Sequence, residues 1–115
     1  MILIVDDDAR IRDAAAGALS AQGHHIVTAA DGEAALRLCQ NEPRIRLVIT
    51  DVMMPRLSGP DFVARARALR PELRIIYISG SIGDTPPEAL GDHPFLAKPF
   101  TASRLLAATQ AALAA

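Results

Sequence analysis

Three uninterrupted runs of apolar and β-branched residues constrain the fold more than any other feature of this chain. They occupy residues 2–5, 47–50 and 75–78. Runs without alternating polar residues are typical of strands that are buried on both faces, as in a parallel sheet. Two shorter runs, at residues 25–29 and 95–97, are further strand candidates. The sequence therefore predicts five strands.

Segments with helical periodicity separate the strand candidates. They cover residues 9–21, 32–40, 60–69 and 103–114. Pro60 fits the first turn of its helix, and Thr101 is a candidate N-cap for the last one. Strands and helices that alternate at this spacing predict a three-layer α/β domain. In it, a doubly wound, five-stranded parallel sheet carries helices on both faces.

The segment 80–93 departs from this alternation. It holds residues that disfavour helix, namely Gly80, Gly83, Pro86, Pro87 and Gly91. Thr85 and Glu88 have the spacing of a capping box, which would start a turn or so of helix. We therefore expect the fourth helix of the alternation, between the fourth and fifth strands, to be short or partly disordered.

Length, composition and charge limit the class of protein. The chain has 115 residues, of which 50% are apolar, so we expect one compact domain over residues 1–115. No apolar run approaches the length of a membrane span, and no basic region precedes the first run. We therefore expect a cytoplasmic protein without membrane contact. The formal net charge of −1 argues against a nucleic-acid surface.

Other reactive or charged side chains have structural interpretations. The single cysteine, Cys39, excludes an intramolecular disulfide and lies on the apolar side of its helix, so we interpret it as a core residue. The histidines have no zinc-site spacing and are interpreted as turn or edge residues; they are His24, His25 and His93. Four arginines have the spacing of a solvated helix face and its exit, namely Arg65, Arg67, Arg70 and Arg74.

Acidic residues follow two of the predicted buried strands. Asp6, Asp7 and Asp8 come directly after the first strand, and Asp51 follows the third. Ligands of open parallel sheets bind beyond the carboxyl ends of the strands, so we expect Asp6, Asp7 and Asp51 to converge there. Close carboxylates repel one another unless a cation neutralises them, and Mg²⁺ prefers such oxygen ligands. The sequence therefore predicts a magnesium site, with Asp8 as the N-cap of the first helix.

Two further polar side chains are expected at the same edge of the sheet. Lys98 follows the fifth strand and is the only lysine of the chain, and its ammonium suits a phosphate oxygen. Ser79 ends the fourth strand, where its hydroxyl can hydrogen-bond a phosphoryl oxygen. The edge thus combines a candidate metal site with groups that bind phosphate.

Together these residues resemble the receiver domains of bacterial two-component response regulators. The resemblance rests on Asp6 and Asp7 in ILIVDDD, Asp51 in TDVMMP followed by LSG, Ser79 in YISGS, and Lys98 in FLAKPF. It covers essentially the whole chain, and the motifs are specific jointly rather than singly. The resemblance implies a flavodoxin-like fold with strand order 2-1-3-4-5.

The resemblance also implies a phosphorylation cycle at Asp51. This residue would accept a phosphoryl group from a histidine of a sensor histidine kinase or of a histidine phosphotransfer protein. The chain would then be a switch and not a turnover enzyme. Asp7, Asp51 and the main-chain carbonyl of Met53 would bind Mg²⁺ directly, and Asp6 would act through a metal-bound water.

The remaining roles that the resemblance implies concern the switch. Lys98 would pair with the phosphoryl oxygens, and the Lys98–Pro99 peptide would be cis. Ser79 would swing toward the phosphoryl group, and Phe95, at the aromatic switch position, would turn inward. The surface of the fourth and fifth strands would change as a result and would be available to an output partner.

The chain departs from the commonest receiver pattern in two respects. The weakened helix lies between Ser79 and Lys98, so we expect the surface that most receivers use for output or dimerisation to be remodelled, and the resemblance implies no particular dimer. Phe95 lacks a hydroxyl, so switching there would rely on packing. The segments LSGPDF, YISGS and FLAKPF are similar to the corresponding segments in receivers of hybrid sensor histidine kinases. A stand-alone regulator and a module of a hybrid kinase both stay open.

Two other families share part of the pattern. Asp6 and Asp8 resemble the nucleophile motif of haloacid dehalogenase phosphatases, but Arg10 stands where that family prefers Thr or Val, and a second acidic motif is missing. A flavin-binding module of similar architecture would need amide and hydroxyl donors after the first strand, where this chain has three acids. Both fit the sequence less well than a receiver domain does.

Overall fold

A computed structural model describes residues 1–80 and 85–114 of the chain. It contains five strands, β1 (Ile2–Val5), β2 (Ile26–Ala29), β3 (Leu47–Asp51), β4 (Arg74–Ser79) and β5 (Phe95–Ala97). The four α-helices of the described residues are α1 (Ala9–Ser20), α2 (Gly32–Asn41), α3 (Gly59–Leu69) and α4 (Ala102–Ala114). A 3₁₀ turn at Pro87–Leu90 stands between β4 and β5. The predicted elements are confirmed, with shifts of at most one residue at their ends.

All five strands are parallel, in the order β2-β1-β3-β4-β5. The strands β1 and β3 are buried along their whole length, because helices cover both faces of the sheet. The edge strands β2 and β5 are more exposed. The sequence prediction of a doubly wound, three-layer α/β fold is therefore confirmed.

Alternate residues of the strands fill two separate apolar cores. On one face, Leu3, Val48 and Tyr77 pack against α2, α3 and the 3₁₀ turn. On the other face, Ile4 and Ile49 pack against α1 and α4. The two cores lie on opposite faces of the sheet, and polar residues follow the carboxyl ends of its strands.

Side-chain caps fix where the helices begin. The carboxylate of Asp8 accepts a hydrogen bond from the Arg10 N–H and caps α1. Ser58 caps α3 through the Asp61 N–H, with Pro60 in the first turn, and Thr101 accepts from the Arg104 N–H at the start of α4. The N-cap roles predicted for Asp8 and Thr101 are confirmed.

Among its described residues, the segment between β4 and β5 contains only a short 3₁₀ turn, as predicted. The prediction that Thr85 and Glu88 form a capping box is wrong, because no side chain caps this turn. The 3₁₀ turn starts after Pro86, and the Thr85 hydroxyl donates to the Met53 sulfur at 3.8 Å. Pro86 precedes Pro87, which disfavours the helical conformation at Pro86; it is extended instead, so the turn starts one residue too late for Thr85 to cap it. Part of the predicted segment, residues 81–84, lies outside the described residues.

Two of the four arginines interpreted as solvated instead make structural contacts. The guanidinium of Arg70 donates to the main-chain carbonyls of Glu42, Pro43 and Ile45, at 3.2, 3.0 and 2.6 Å. Arg67 donates to the Pro71 carbonyl at 2.7 Å. Both residues lie near the end of α3, where the long side chain reaches neighbouring turns.

The cysteine and the histidines lie where the sequence indicated. Cys39 lies on the buried side of α2 and is 1% exposed in the core. His24 and His25 precede β2, which begins one residue later than predicted. His93 lies before β5, and its ring packs against the Tyr77 ring in a T-shaped arrangement. Burial and the nearby Arg67 charge lower the pKa of His93.

Candidate functional site

The carboxyl ends of four neighbouring strands meet at one edge of the sheet. Asp6 and Asp7 follow β1, Asp51 ends β3, Ser79 ends β4, and Lys98 follows β5. Because the strands are parallel and adjacent, these polar groups gather at the point where the chain leaves the apolar core. This edge is the candidate functional site.

Three carboxylates form a cluster there. Asp6, Asp7 and Asp51 each offer an oxygen atom, and the three atoms lie within 4.8 Å of one another. Asp6 is fully buried, Asp51 is 6% exposed, and Asp7 faces solvent. The convergence of these acids, which the sequence predicted from the strand ends, is thus seen in the structure.

Lys98 lies between the two buried acids. Its Nζ is 2.7 Å from Asp6 Oδ2, an ion pair that departs from hydrogen-bond geometry, and it donates a hydrogen bond to Asp51 Oδ2 at 3.0 Å. Burial acts to lower the pKa of Lys98, but the carboxylates of Asp6 and Asp51 outweigh burial and raise it. Lys98 therefore carries a positive charge that offsets part of the acidic cluster.

The main chain holds Lys98 at the site through β4. Its N–H donates to the Ser79 carbonyl at 2.9 Å, so the end of β5 is tied to the end of β4. The Lys98–Pro99 peptide is cis, as the resemblance implied. Ser79 itself is 3% exposed.

Backbone contacts also fix Asp51. The Met53 N–H donates to Asp51 Oδ1 at 3.2 Å, and the Thr50 hydroxyl donates to the Asp51 carbonyl at 3.0 Å. The carboxylate of Asp51 thus has one oxygen directed at a main-chain amide and the other at Lys98. This arrangement holds the side chain in one orientation at the end of β3.

Gly59 is a site residue that the sequence analysis missed. Its N–H donates to the Val52 carbonyl at 2.9 Å, and a Cβ atom at this position would collide with the Asp51 carbonyl oxygen and lie 2.9 Å from Val52 Cα. Only glycine allows α3 to start this close to the end of β3. The LSG motif was recognised as a family signal, but the close approach depends on packing and has no signal in the sequence.

Met53 and Phe95, also predicted as site residues, differ in their surroundings. The Met53 side chain is 48% exposed, and its backbone adjoins Asp51. Phe95 is 43% exposed on the edge strand β5, where it pairs with Tyr77 of β4. The structure therefore shows Phe95 directed outward, the position from which the predicted inward turn would start.

The cluster has the composition of a site for a hard divalent cation. Three carboxylates and one ammonium leave two formal negative charges, two of the acids being buried. Buried negative charge without compensation is costly, and oxygen ligands at this spacing fit Mg²⁺. The residues present therefore fit the metal that the sequence predicted.

Fold and site together define a class of protein. A doubly wound parallel sheet with strand order 2-1-3-4-5 carries an acidic cluster and a lysine at its carboxyl edge. The family model for the response regulator receiver domain matches residues 2–110. The chain belongs to this family, and it is therefore a switch module of two-component signalling rather than a classical enzyme.

Individual relatives support this assignment. The receiver domain of NtrX from Brucella abortus, a solved structure, is 36% identical, with a TM-score of 0.89 over 99% of this chain and 98% of that one. The response regulator receiver protein CpdR from B. abortus is 33% identical over 86% of this chain and 84% of that protein. The sensor kinase CckA of the same organism is 30% identical over 90% of this chain but only 11% of its own length.

The chain spans half or less of the length of the first curated relatives that it matches. Family membership decides against the phosphatase and flavin alternatives that the sequence left open. Among the described residues, no helix is both long and apolar enough to cross a membrane.

Proposed function

We propose that this receiver domain accepts a phosphoryl group on Asp51 in the presence of Mg²⁺. The donor is a phosphohistidine of a sensor histidine kinase or of a histidine phosphotransfer protein. The observation that carries the proposal is the placement of Asp51, a nearly buried carboxylate that contacts Lys98 and lies within 4.8 Å of the acidic groups of Asp6 and Asp7.

The transfer is a displacement at phosphorus. A carboxylate oxygen of Asp51 forms a bond to the phosphorus atom while the bond from phosphorus to the donor's imidazole nitrogen breaks, and the bonding electrons stay on that nitrogen. Such reactions depend on positioning and on neutralisation of charge more than on covalent help from the protein. The Met53 amide and Lys98 hold the Asp51 carboxylate in place before the donor arrives.

The acidic cluster would hold the metal. Asp7, Asp51 and the Met53 carbonyl would be direct ligands, with Asp6 linked through water. Bound there, Mg²⁺ supplies positive charge next to the oxygens of the transferred group. Asp6 and Asp51 are also the groups that neutralise Lys98, so this lysine becomes available to a phosphoryl oxygen once the cation shares the carboxylates.

The output step involves the strands β4 and β5, at the end of the sheet beyond Asp51. Ser79 and Phe95 lie on the paired strands β4 and β5, and we assign them the switch roles, with Ser79 moving toward the phosphoryl group and Phe95 turning inward. Phe95 starts from an outward, 43% exposed position, so inward movement would change the surface of β5. An output partner would read that change.

The domain could act in either of two kinds of protein, a stand-alone regulator or a hybrid kinase. Similarity to CpdR over most of both chains supports a stand-alone regulator, and similarity to CckA supports a module of a hybrid kinase. In either version we propose a cytoplasmic location and no direct contact with nucleic acid, in keeping with a formal net charge of −1. The full genomic reading frame separates the two versions.

Intact-protein mass spectrometry tests the proposal. The chain is incubated with acetyl phosphate, with Mg²⁺ or with EDTA, as wild type, as Asp51→Asn and as Asp13→Asn, a control in which an exposed acid of α1 is changed. We expect a gain of one phosphoryl mass with Mg²⁺ in wild type and Asp13→Asn, and none in Asp51→Asn. A gain that persists in Asp51→Asn would contradict the assignment.

A further inference from the structure

Arg12, a half-buried residue of α1, contacts the main chain of the acidic site and binds a carbonyl, not a carboxylate. Its Nη1 donates a hydrogen bond to the main-chain carbonyl oxygen of Asp6 at 2.8 Å. Asp6 is fully buried and lies where the chain turns from β1 toward α1. Arg12 therefore links its helix to the turn that carries Asp6 and Asp7.

The other polar atoms of Asp6 have partners as well. Its N–H donates to the Ala29 carbonyl at 3.2 Å, its Oδ1 accepts from the Asp8 N–H at 2.9 Å, and its Oδ2 lies 2.7 Å from Lys98 Nζ. Without Arg12, the buried carbonyl would lose its charged donor. A buried acceptor left without a partner is costly, so the turn would shift to find another one.

We propose that Arg12 is a positioning residue for the acidic site. By holding the Asp6 carbonyl it sets the direction in which the Asp6 and Asp7 carboxylates point, and so the strength with which the site binds Mg²⁺. The inference rests on the proposed function, because it takes the acidic cluster as the metal site. Groups that orient metal ligands from outside commonly change metal affinity by about 10- to 100-fold.

Charge and position predict opposite effects for Arg12. A guanidinium bound to the main chain of Asp6 adds positive charge near the acidic site and repels a divalent cation, so loss of the charge alone would tighten Mg²⁺ binding. Loss of the hydrogen bond would misalign the carboxylates and weaken binding. The sign of the change in affinity therefore distinguishes the two roles, and a merely structural role would change the melting temperature without weakening Mg²⁺ binding to the folded chain.

Isothermal titration calorimetry, in which the whole chain is titrated with MgCl₂, measures the Mg²⁺ affinity and provides the test. The variants are Arg12→Met, which removes donor and charge, and Arg12→Lys, which keeps the charge and one donor. Arg10→Met is the matched control, because Arg10 lies on the same helix, its side chain is 91% exposed, and it pairs with Asp8 rather than with Asp6. Circular dichroism establishes that each variant is folded at the titration temperature.

We expect Arg12→Met to bind Mg²⁺ about tenfold more weakly than wild type, Arg12→Lys to fall between the two, and Arg10→Met to bind as wild type does. Equal or tighter binding by Arg12→Met would overturn the inference while leaving the proposed function intact. If Arg12→Met does not fold, Arg12→Lys decides, and binding equal to or tighter than wild type would overturn it. Absence of Mg²⁺ binding by wild type would contradict the proposed function itself.

Discussion

Lys98 balances the charge of the site at the scale of a single residue. The sequence predicted a lysine at the edge of the sheet, and the structure adds that it contacts both Asp6 and Asp51. Its side chain is 18% exposed and Asp6 is fully buried, so the ion pair lies largely out of water. Removing one member of such a pair leaves an uncompensated buried charge.

Lys98→Ala is therefore expected to lower the free energy of unfolding in metal-free buffer by about 2–3 kcal/mol. Mg²⁺ binding should remain largely in place and recover part of this loss, because the cation neutralises the same carboxylates. Phosphorylation by acetyl phosphate should be impaired. Urea denaturation with and without Mg²⁺ measures the stability, and a variant as stable as wild type in EDTA would refute the charge-balancing role.

Cys39 gives a prediction about pH. Burial raises the pKa of its thiol above the ordinary value of 9.0. As the pH rises past the ordinary value, the unfolded chain loses the proton and the native chain keeps it, so the thiol's contribution to stability is lost toward alkaline pH. Wild type should lose more stability than Cys39→Ala between pH 8 and pH 10 in urea denaturation. Parallel losses in the two proteins would show that the thiol does not contribute.

At the scale of the elements, Gly59 lets α3 begin directly against the end of β3. Gly59→Ala would push a Cβ atom into the backbone of Asp51 and Val52. We expect a loss of stability of about 2–3 kcal/mol and slower phosphorylation, because Asp51 must move. Thermal denaturation and the rate of phosphate incorporation measure the two effects.

Gly17→Ala is the matched control for this substitution. Gly17 lies on an exposed part of α1, and a Cβ atom there meets no heavy atom within 4 Å. Alanine at this position should stabilise the protein by about 0.5–1 kcal/mol, because glycine is a poor helix former. If both substitutions had the same sign, the close approach at Gly59 would not be the determining factor.

Arg70 connects α3 to the turn between α2 and β3. Arg70→Ala should lower the free energy of unfolding by about 2–3 kcal/mol, since three main-chain carbonyls lose a charged donor. Arg65→Ala on the exposed face of the same helix should change it by less than about 0.5 kcal/mol. Urea denaturation of both variants checks the contrast, and equal effects would restore the interpretation of Arg70 as a solvated residue.

The elements also show what a sequence pattern can and cannot reveal. Arginine spacing indicates which face of a helix is polar, but not that Arg70 stands where the helix ends and can reach a neighbouring turn. The capping box at Thr85 matched in spacing, yet Pro86 and Pro87 prevent the helix from starting there. In both cases a local pattern was overridden by the geometry of the adjoining chain.

At the scale of the whole molecule, the parallel sheet and the site follow from one property of the sequence, whereas the strand order was implied by the resemblance to receiver domains. Buried strands that end in acids place Asp6, Asp7 and Asp51 at the same edge, and Lys98 follows because it too comes after a strand. The contacts made by Arg12 and Gly59 could not be predicted, because each joins a helix to a strand end through packing in three dimensions. The outward position of Phe95 on the edge strand β5 was likewise not predictable from the sequence pattern.

Chemical mapping of the phosphorylated residue tests the central claim most directly. Sodium borohydride reduces an aspartyl phosphate to homoserine, which mass-spectrometric sequencing locates in the chain. After treatment with acetyl phosphate and Mg²⁺, we expect homoserine at position 51 and none when EDTA replaces Mg²⁺. Homoserine at Asp6, Asp7 or another acid, or its absence throughout, would contradict the assignment of Asp51 as the phosphoacceptor.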